Sequence, residues 1–181
     1  TGLATLVAEE LDADWEQVRV VGAPADAARY NNLFWGPVQG TGGSTAMANS
    51  HKQMREAGAA ARAMLTAAAA ERWSVDAESI TIEQGILRGP SPGQTATFGD
   101  LAEAAAAQPV PEIVFLKDPA DFRLIGRHLP RKDNPGKVNG TALYTQDVRL
   151  PNMLTACIAR PPLFVATVQG LDDSAARQIA G

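Results

Sequence analysis

TGGSTAMANSHKQMREAGAAARAMLTAAAAERW, residues 41–73, is the stretch that decides how this chain is read. Met47, Met54, Ala57, Ala61, Met64, Leu65 and Ala68 recur at spacings of three and four, the signature of an apolar helical stripe. The pattern predicts a helix ending near Trp73, about 28 residues and roughly 42 Å long. Its many alanines favour the helical state and let neighbouring elements come close. The helix opens directly after Thr41-Gly42-Gly43-Ser44-Thr45. Glycines allow positive φ and close backbone approach, and a helix N-terminus presents unpaired N–H groups at the positive end of a dipole. With two hydroxyls beside them, these groups suit a phosphate or another oxyanion. The same residues also suit a plain N-cap, with Ser44 satisfying the first N–H groups. The stretch lacks the lysine of a Walker A loop and the spacing of a dinucleotide fingerprint.

Upstream, Leu3, Leu6, Val7, Glu10 and Leu11 predict an amphipathic helix. Val18, Val20 and Val21 suggest a short strand before Gly22 and Pro24. Residues 22–41 read as a long loop of the kind that lines a site, anchored by burial of Tyr30, Phe34 and Trp35. Downstream, Ile80, Ile82, Ile86 and Leu87 around Gln84-Gly85 predict a hairpin. Thr97-Phe98-Gly99-Asp100 predicts a capped helix running into the alanines after Leu101. Pro109, Pro111 and Pro119 mark residues 108–121 as a stiff linker. After it comes a basic segment with Arg123, Arg127, Arg131, Lys132 and Lys137. Residues 141–148, 153–159 and 163–168 are then expected as strands, and residues 172–180 as a short helix capped by Asp172 or Asp173. The expected fold class is α+β, divided as residues 1–107, a linker over 108–121 and residues 122–181.

The chain has 181 residues, 45% of them apolar and 20% charged, with a net charge of −4. That balance excludes a nucleic-acid module, which needs a basic surface to displace counterions. The single cysteine, Cys157, forms no internal disulfide and reads as a small buried apolar residue. His51 and His128 lack metal-ligand spacing, so no metal site is assigned. Ser44 lacks a nucleophile-elbow context. The pairs Glu9-Glu10 and Asp172-Asp173 read as solvated helix ends or faces, not acid/base couples. The residues alone therefore yield an oxyanion-binding helix end and a second small α/β unit, and no catalytic residue. The first helix begins at Thr1 and the last ends at Gly181, so the chain is expected to be a piece of a longer protein.

Taken together, the motifs resemble a known family. Residues 1–20 (TGLATLVAEELDADWEQVRV), the TGGST stretch and the REAGAAARAML run at residues 55–65 are similar to the molybdopterin-binding large subunits of the xanthine dehydrogenase and aldehyde oxidase family. The nearest branch is that of isoquinoline 1-oxidoreductase β-subunits and membrane-associated aldehyde dehydrogenases. Arg131, Asp133, Lys137, Val138 and Gly140, with residues 147–154 and Arg160-Pro161-Pro162, are similar to the opening of that family's α/β hammerhead domain. The resemblance implies part of a molybdopterin-binding domain followed by the start of a hammerhead domain. It implies a molybdenum cofactor, in its cytosine dinucleotide form, that oxidises an aldehyde or N-heteroaromatic carbon with water-derived oxygen. A [2Fe-2S] cluster would sit on a small partner subunit, with a cytochrome c subunit often beyond it, at the periplasmic face of the membrane. Thr41, Gly42, Gly43, Ser44 and Thr45 would contact the cofactor. The family's Gly-x-Gly-Glu motif, which carries its catalytic glutamate, does not occur in this sequence, so the segment alone is expected to be inactive without the rest of its parent chain. The competing expectation is a non-catalytic binding or assembly module with a phosphate-binding helix N-terminus.

Overall fold

The computed structural model describes residues 1–179. They divide into two units, one ending at Asn139 and the other beginning at Gly140. In the first unit, helix α1 (Gly2–Leu11) is followed by the short α2 (Ala27–Tyr30) and the 29-residue α3 (Thr45–Trp73). Strands β1 (Thr81–Glu83), β2 (Ile86–Arg88) and β3 (Thr95–Thr97) form an antiparallel sheet in the order β1-β2-β3. Helix α4 (Phe98–Ala106) follows at once, and the one-turn α5 (Asn134–Val138) closes the unit. The α+β class is borne out by this part of the chain. The helix over 45–73, the hairpin and the capped helix stand where the sequence placed them.

Each has a local cause. Gln84 and Gly85 both take positive φ, 48° and 74°, so the two-residue turn matches the twist of the strands it joins. Ile82 lies opposite Leu87, and Leu87 opposite Ala96, so one face of the sheet is apolar. Thr97 and Asp100 form a reciprocal capping box at the start of α4. Leu65, Ala68 and Ala69 of α3 pack with Ile80, Ile82, Leu87, Ala96, Leu101 and Ala105 in one core. The core therefore sits between the C-terminal half of α3, the sheet and α4.

The N-terminal half of α3 packs on α1. Gly58 makes this approach possible: a Cβ there would stand 2.7 Å from the Val7 carbonyl oxygen and 2.9 Å from Glu10 Cβ. Gly2 lies beside Met47, Glu10 beside Arg55 and Asp12 beside Arg62, so the two helices run parallel. The buried face of α3 carries Ser50, Arg55, Gly58 and Ala59 as well as Leu65, Ala68 and Ala69. It departs from the expected stripe at Met47 and Ala57, which are exposed, because charge pairing with α1 recruits Arg55 to the inside.

Other expectations fail for physical reasons. Val20 and Val21 are exposed and form no strand. Tyr30, Phe34 and Trp35 do not bury: 43%, 65% and 41% of their surface remains accessible, because the 22–41 loop folds mainly by polar bonds to itself and to α3. Residues 108–121 belong to the first unit, where Lys117 is bonded to α1.

In the second unit no strand occurs among the described residues; it holds short 3₁₀ turns at Thr145–Asp147 and Ala176–Gln178. Alternating apolar residues make a strand only when their backbone groups meet a partner, and Leu154, Ile158, Leu163, Phe164 and Val165 stand exposed without one. Cys157 is exposed there too, not buried. The helix expected at 172–180 is reduced to the turn at Ala176–Gln178, and its last residue, Ala180, lies outside the described residues. Among the described residues, no helix is long and apolar enough to cross a membrane.

Candidate functional site

Four hydrogen bonds hold the Thr41–Thr45 loop and the segment before it at the N-terminus of α3. Thr45 donates its backbone N–H and its hydroxyl to the Gly42 carbonyl, at 3.2 and 2.9 Å. Asn32 Nδ2 donates to Thr45 Oγ1 at 2.8 Å. Asn49 of α3 accepts the Leu33 N–H at 2.8 Å. Gly43 and Ser44 both adopt left-handed backbone, with φ of 57° and 55°. Glycine takes that conformation without cost; serine does so at about 1 kcal/mol or slightly more. The strained Ser44 does not act as a side-chain cap. The plain N-cap reading, with the Ser44 side chain satisfying the first N–H groups, therefore fails. The Trp35 ring lies against the backbone at Gly40 and Gly42, where a Cβ on Gly42 would come 2.8 Å from Cη2.

Because α1 and α3 run parallel, their positive ends converge at one pole. There a cleft of about 360 Å³ is lined by Thr1, Gly2 and Thr5 of α1's start, Met47 and His51 of α3, and the segment from Leu124 to Arg127 with Leu129. Two exposed basic or titratable side chains, His51 and Arg127, reach this cleft. Sequence reading placed both outside any site. Their only signal was position: His51 follows Met47 by one helical turn.

The wall of the cleft is fixed by a buried charge cluster that the sequence reading missed. Glu9 and Glu10 are each 1% exposed, not solvated. Glu9 accepts backbone N–H groups from Arg123 (3.0 Å), Leu124 (2.6 Å) and Ile125 (2.8 Å), and the Lys117 ammonium at 3.2 Å. Burial opposes its ionisation, but these donors outweigh it and hold the carboxyl below its ordinary range. Glu10 accepts from Arg55 Nε at 2.6 Å and from the Lys117 N–H at 3.0 Å. Asp12 pairs with Arg62 and Lys117. Three carboxylates thus meet three cations, and the cluster is neutral. A signal was present in the sequence: Glu10 falls on the apolar stripe of α1, and Arg62 interrupts the alanine run of α3.

The second motif behaves differently. In the Arg131-x-Asp133-x-x-x-Lys137 pattern, Arg131 reaches Asp133 at 3.0 Å and Lys137 also pairs with it. Arg131, then Lys137, hold Asp133 well below the carboxylate range. The motif closes on itself around α5. His128 is exposed, and among the described residues no group of histidine, cysteine and carboxylate side chains could hold a metal ion.

The start of α1 thus lies beside the first turns of α3, with Gly2 against Met47, next to the 41–45 loop. The family can now be given: residues 1–147 match the model described as a molybdopterin cofactor-binding domain, and the chain belongs to that family. It is 36% identical to the β-subunit of isoquinoline 1-oxidoreductase from Brevundimonas diminuta, an alignment covering 100% of this chain and 27% of that protein. It is 38% identical to a nicotinate dehydrogenase subunit of Pseudomonas putida, over 90% of this chain and 13% of the relative. It is 32% identical to a membrane-bound aldehyde dehydrogenase [pyrroloquinoline-quinone] of Gluconacetobacter polyoxogenes, over 100% and 23%. The chain thus spans about a quarter or less of the length of these relatives.

Proposed function

We propose that this chain contributes the Thr41–Thr45 loop to a molybdenum-cofactor site in the large subunit of an oxidoreductase. The observation that carries the reading is the uncapped α3 N-terminus behind Gly42 and Gly43. The residues fit such a group: Gly43 carries no side chain and stands open, Ser44 makes no side-chain cap, and the dipoles of α1 and α3 point to one pole, while Gly42 makes room for the Trp35 ring. Backbone N–H groups of the loop and the exposed Ser44 hydroxyl would hold pterin or phosphate oxygens. Thr45 would act indirectly, since its hydroxyl is already engaged by Asn32 and Gly42. Arg127 and His51 would meet negative charge in the adjacent cleft.

When bound, the cofactor supplies the redox centre, in the cytosine dinucleotide form, for oxidation of an aldehyde or N-heteroaromatic carbon with water-derived oxygen. This chain's part is to orient the cofactor. A catalytic glutamate would come from elsewhere in the parent subunit, and a [2Fe-2S] partner subunit, with a cytochrome c beyond it, would take the electrons. Residues 122–181 would open a hammerhead domain whose strands form against the rest of the parent chain. A periplasmic or membrane-associated setting accords with this assignment. The test is metal analysis and pterin fluorescence on the full-length parent purified with its accompanying chains. Stoichiometric molybdenum and pterin would support the proposal. A stable complex carrying neither, under conditions that load a known relative, would leave the non-catalytic assembly module as the better reading.

A further inference from the structure

The 42–43 peptide joins two glycines, and glycine backbone turns over easily between conformations. Flipping that peptide would present a carbonyl oxygen where an anionic ligand needs an N–H. The Gly42 carbonyl is tied down by both donors of Thr45. The Thr45 hydroxyl has one hydrogen, which goes to Gly42, so its oxygen is free to accept. Asn32 Nδ2 fills that role at 2.8 Å. The orientation of the Asn32 amide is itself settled by chemistry: the Phe34 N–H can only donate, and it meets Oδ1 at 3.1 Å. Asn32 is 4% exposed and cannot swing away into solvent. Its own backbone is held by the Val38 carbonyl at 3.0 Å and the Trp35 N–H at 2.8 Å.

Resting on the cofactor reading above, we propose that Asn32 is a positioning residue that acts through the Thr45 hydroxyl to fix the Gly42–Gly43 peptide for cofactor binding. The bonds run in one direction, from the Asn32 amide to Thr45 Oγ1 and from the Thr45 hydroxyl to the Gly42 carbonyl. Asn32 touches no ligand in this scheme. It determines which face of the peptide the ligand meets.

The experiment uses the full-length parent complex carrying Asn32→Asp, Thr45→Val, Thr45→Ser or the Asn32→Asp/Thr45→Val pair. Asn32→Asp keeps the acceptor for Phe34 and removes the donor to Thr45, but it also adds a buried carboxylate, so thermal unfolding and the uncharged Thr45→Val variant separate the lost bond from the added charge. The readouts are molybdenum and pterin content after gel filtration, amide exchange over residues 41–46, and thermal unfolding of the complex. Asn32→Asp and Thr45→Val are each expected to lower cofactor occupancy roughly fivefold under subsaturating supply, the value of one hydrogen bond. The double variant is expected to fall no further than Thr45→Val, since both changes break one relay. Thr45→Ser is expected to recover most of what Thr45→Val loses. Wild-type occupancy in Asn32→Asp, or a Thr45→Ser loss equal to that of Thr45→Val, would overturn the proposal. If Asn32→Asp does not fold, the two Thr45 variants and their amide exchange decide it. If the wild-type complex itself carries no cofactor, the cofactor reading falls and this proposal falls with it. Amide exchange over 41–46 would then still show whether the relay exists as a structural lock.

Discussion

Replacing Glu9 by glutamine tests the physical account of the cleft wall with almost no change in shape. The carboxylate takes three backbone N–H groups and one ammonium, all inside the protein. Glutamine can keep its single carbonyl oxygen toward Leu124 and Ile125, which places its NH₂ against the Lys117 ammonium. Hydrogen bonds to a charged acceptor are worth about 1 kcal/mol more than neutral ones. Three such bonds would therefore weaken by about 3 kcal/mol together, before counting the Lys117 contact. The substitution also leaves three cations facing two carboxylates. At 1.36 kcal/mol per factor of ten, exchange of the amides at 123–125 should speed up roughly hundredfold. Amide exchange by mass spectrometry on a peptide spanning residues 117–127 would read this directly. Unchanged protection of that peptide in Glu9→Gln would refute the claim that the buried carboxylate holds the segment in place.

Two further outcomes follow from the same geometry. The folded-state pKa of Glu9 lies below its ordinary 4.5, so its stabilisation is complete above that value and fades as pH falls through the lower folded value. Amide protection at 123–125 should accordingly drop in acid before the β-sheet core opens; simultaneous loss of both would contradict it. Gly58→Ala should destabilise the chain in urea unfolding. The gain in helix propensity is about 1 kcal/mol, but forcing a Cβ to 2.7 Å from the Val7 carbonyl and 2.9 Å from Glu10 Cβ costs about 1–3 kcal/mol. An alanine variant more stable than the wild type would show that α1 can slide off α3 freely.

Much of the first unit was legible because its signals are local. The alanine-rich periodicity of 45–73, the Gln84-Gly85 turn and the Thr97/Asp100 cap each need only a few neighbouring residues to specify an element. The buried charge cluster was illegible for the opposite reason. Glu9 meets its backbone donors at Arg123 across 114 residues, and an acidic residue near a helix end looks solvated until its partner is known. The loop at 41–45 was found by its glycines, yet the role of Asn32 was hidden, because a single asparagine in a loop looks like ordinary turn chemistry. The aromatics of that loop misled for a related reason: apolar size favours burial only where there is something to be buried against. The pattern at 141–168 misled in the same way, since alternation specifies a face and not a partner.

The most direct test of the central claim compares amide exchange over the first unit in cofactor-loaded and cofactor-depleted parent complex. The account predicts added protection concentrated at residues 41–48 and at the Leu124 to Leu129 wall of the cleft, with the β1–β3 sheet unchanged. Loaded complex showing protection elsewhere, with residues 41–48 exchanging as in the depleted form, would contradict it.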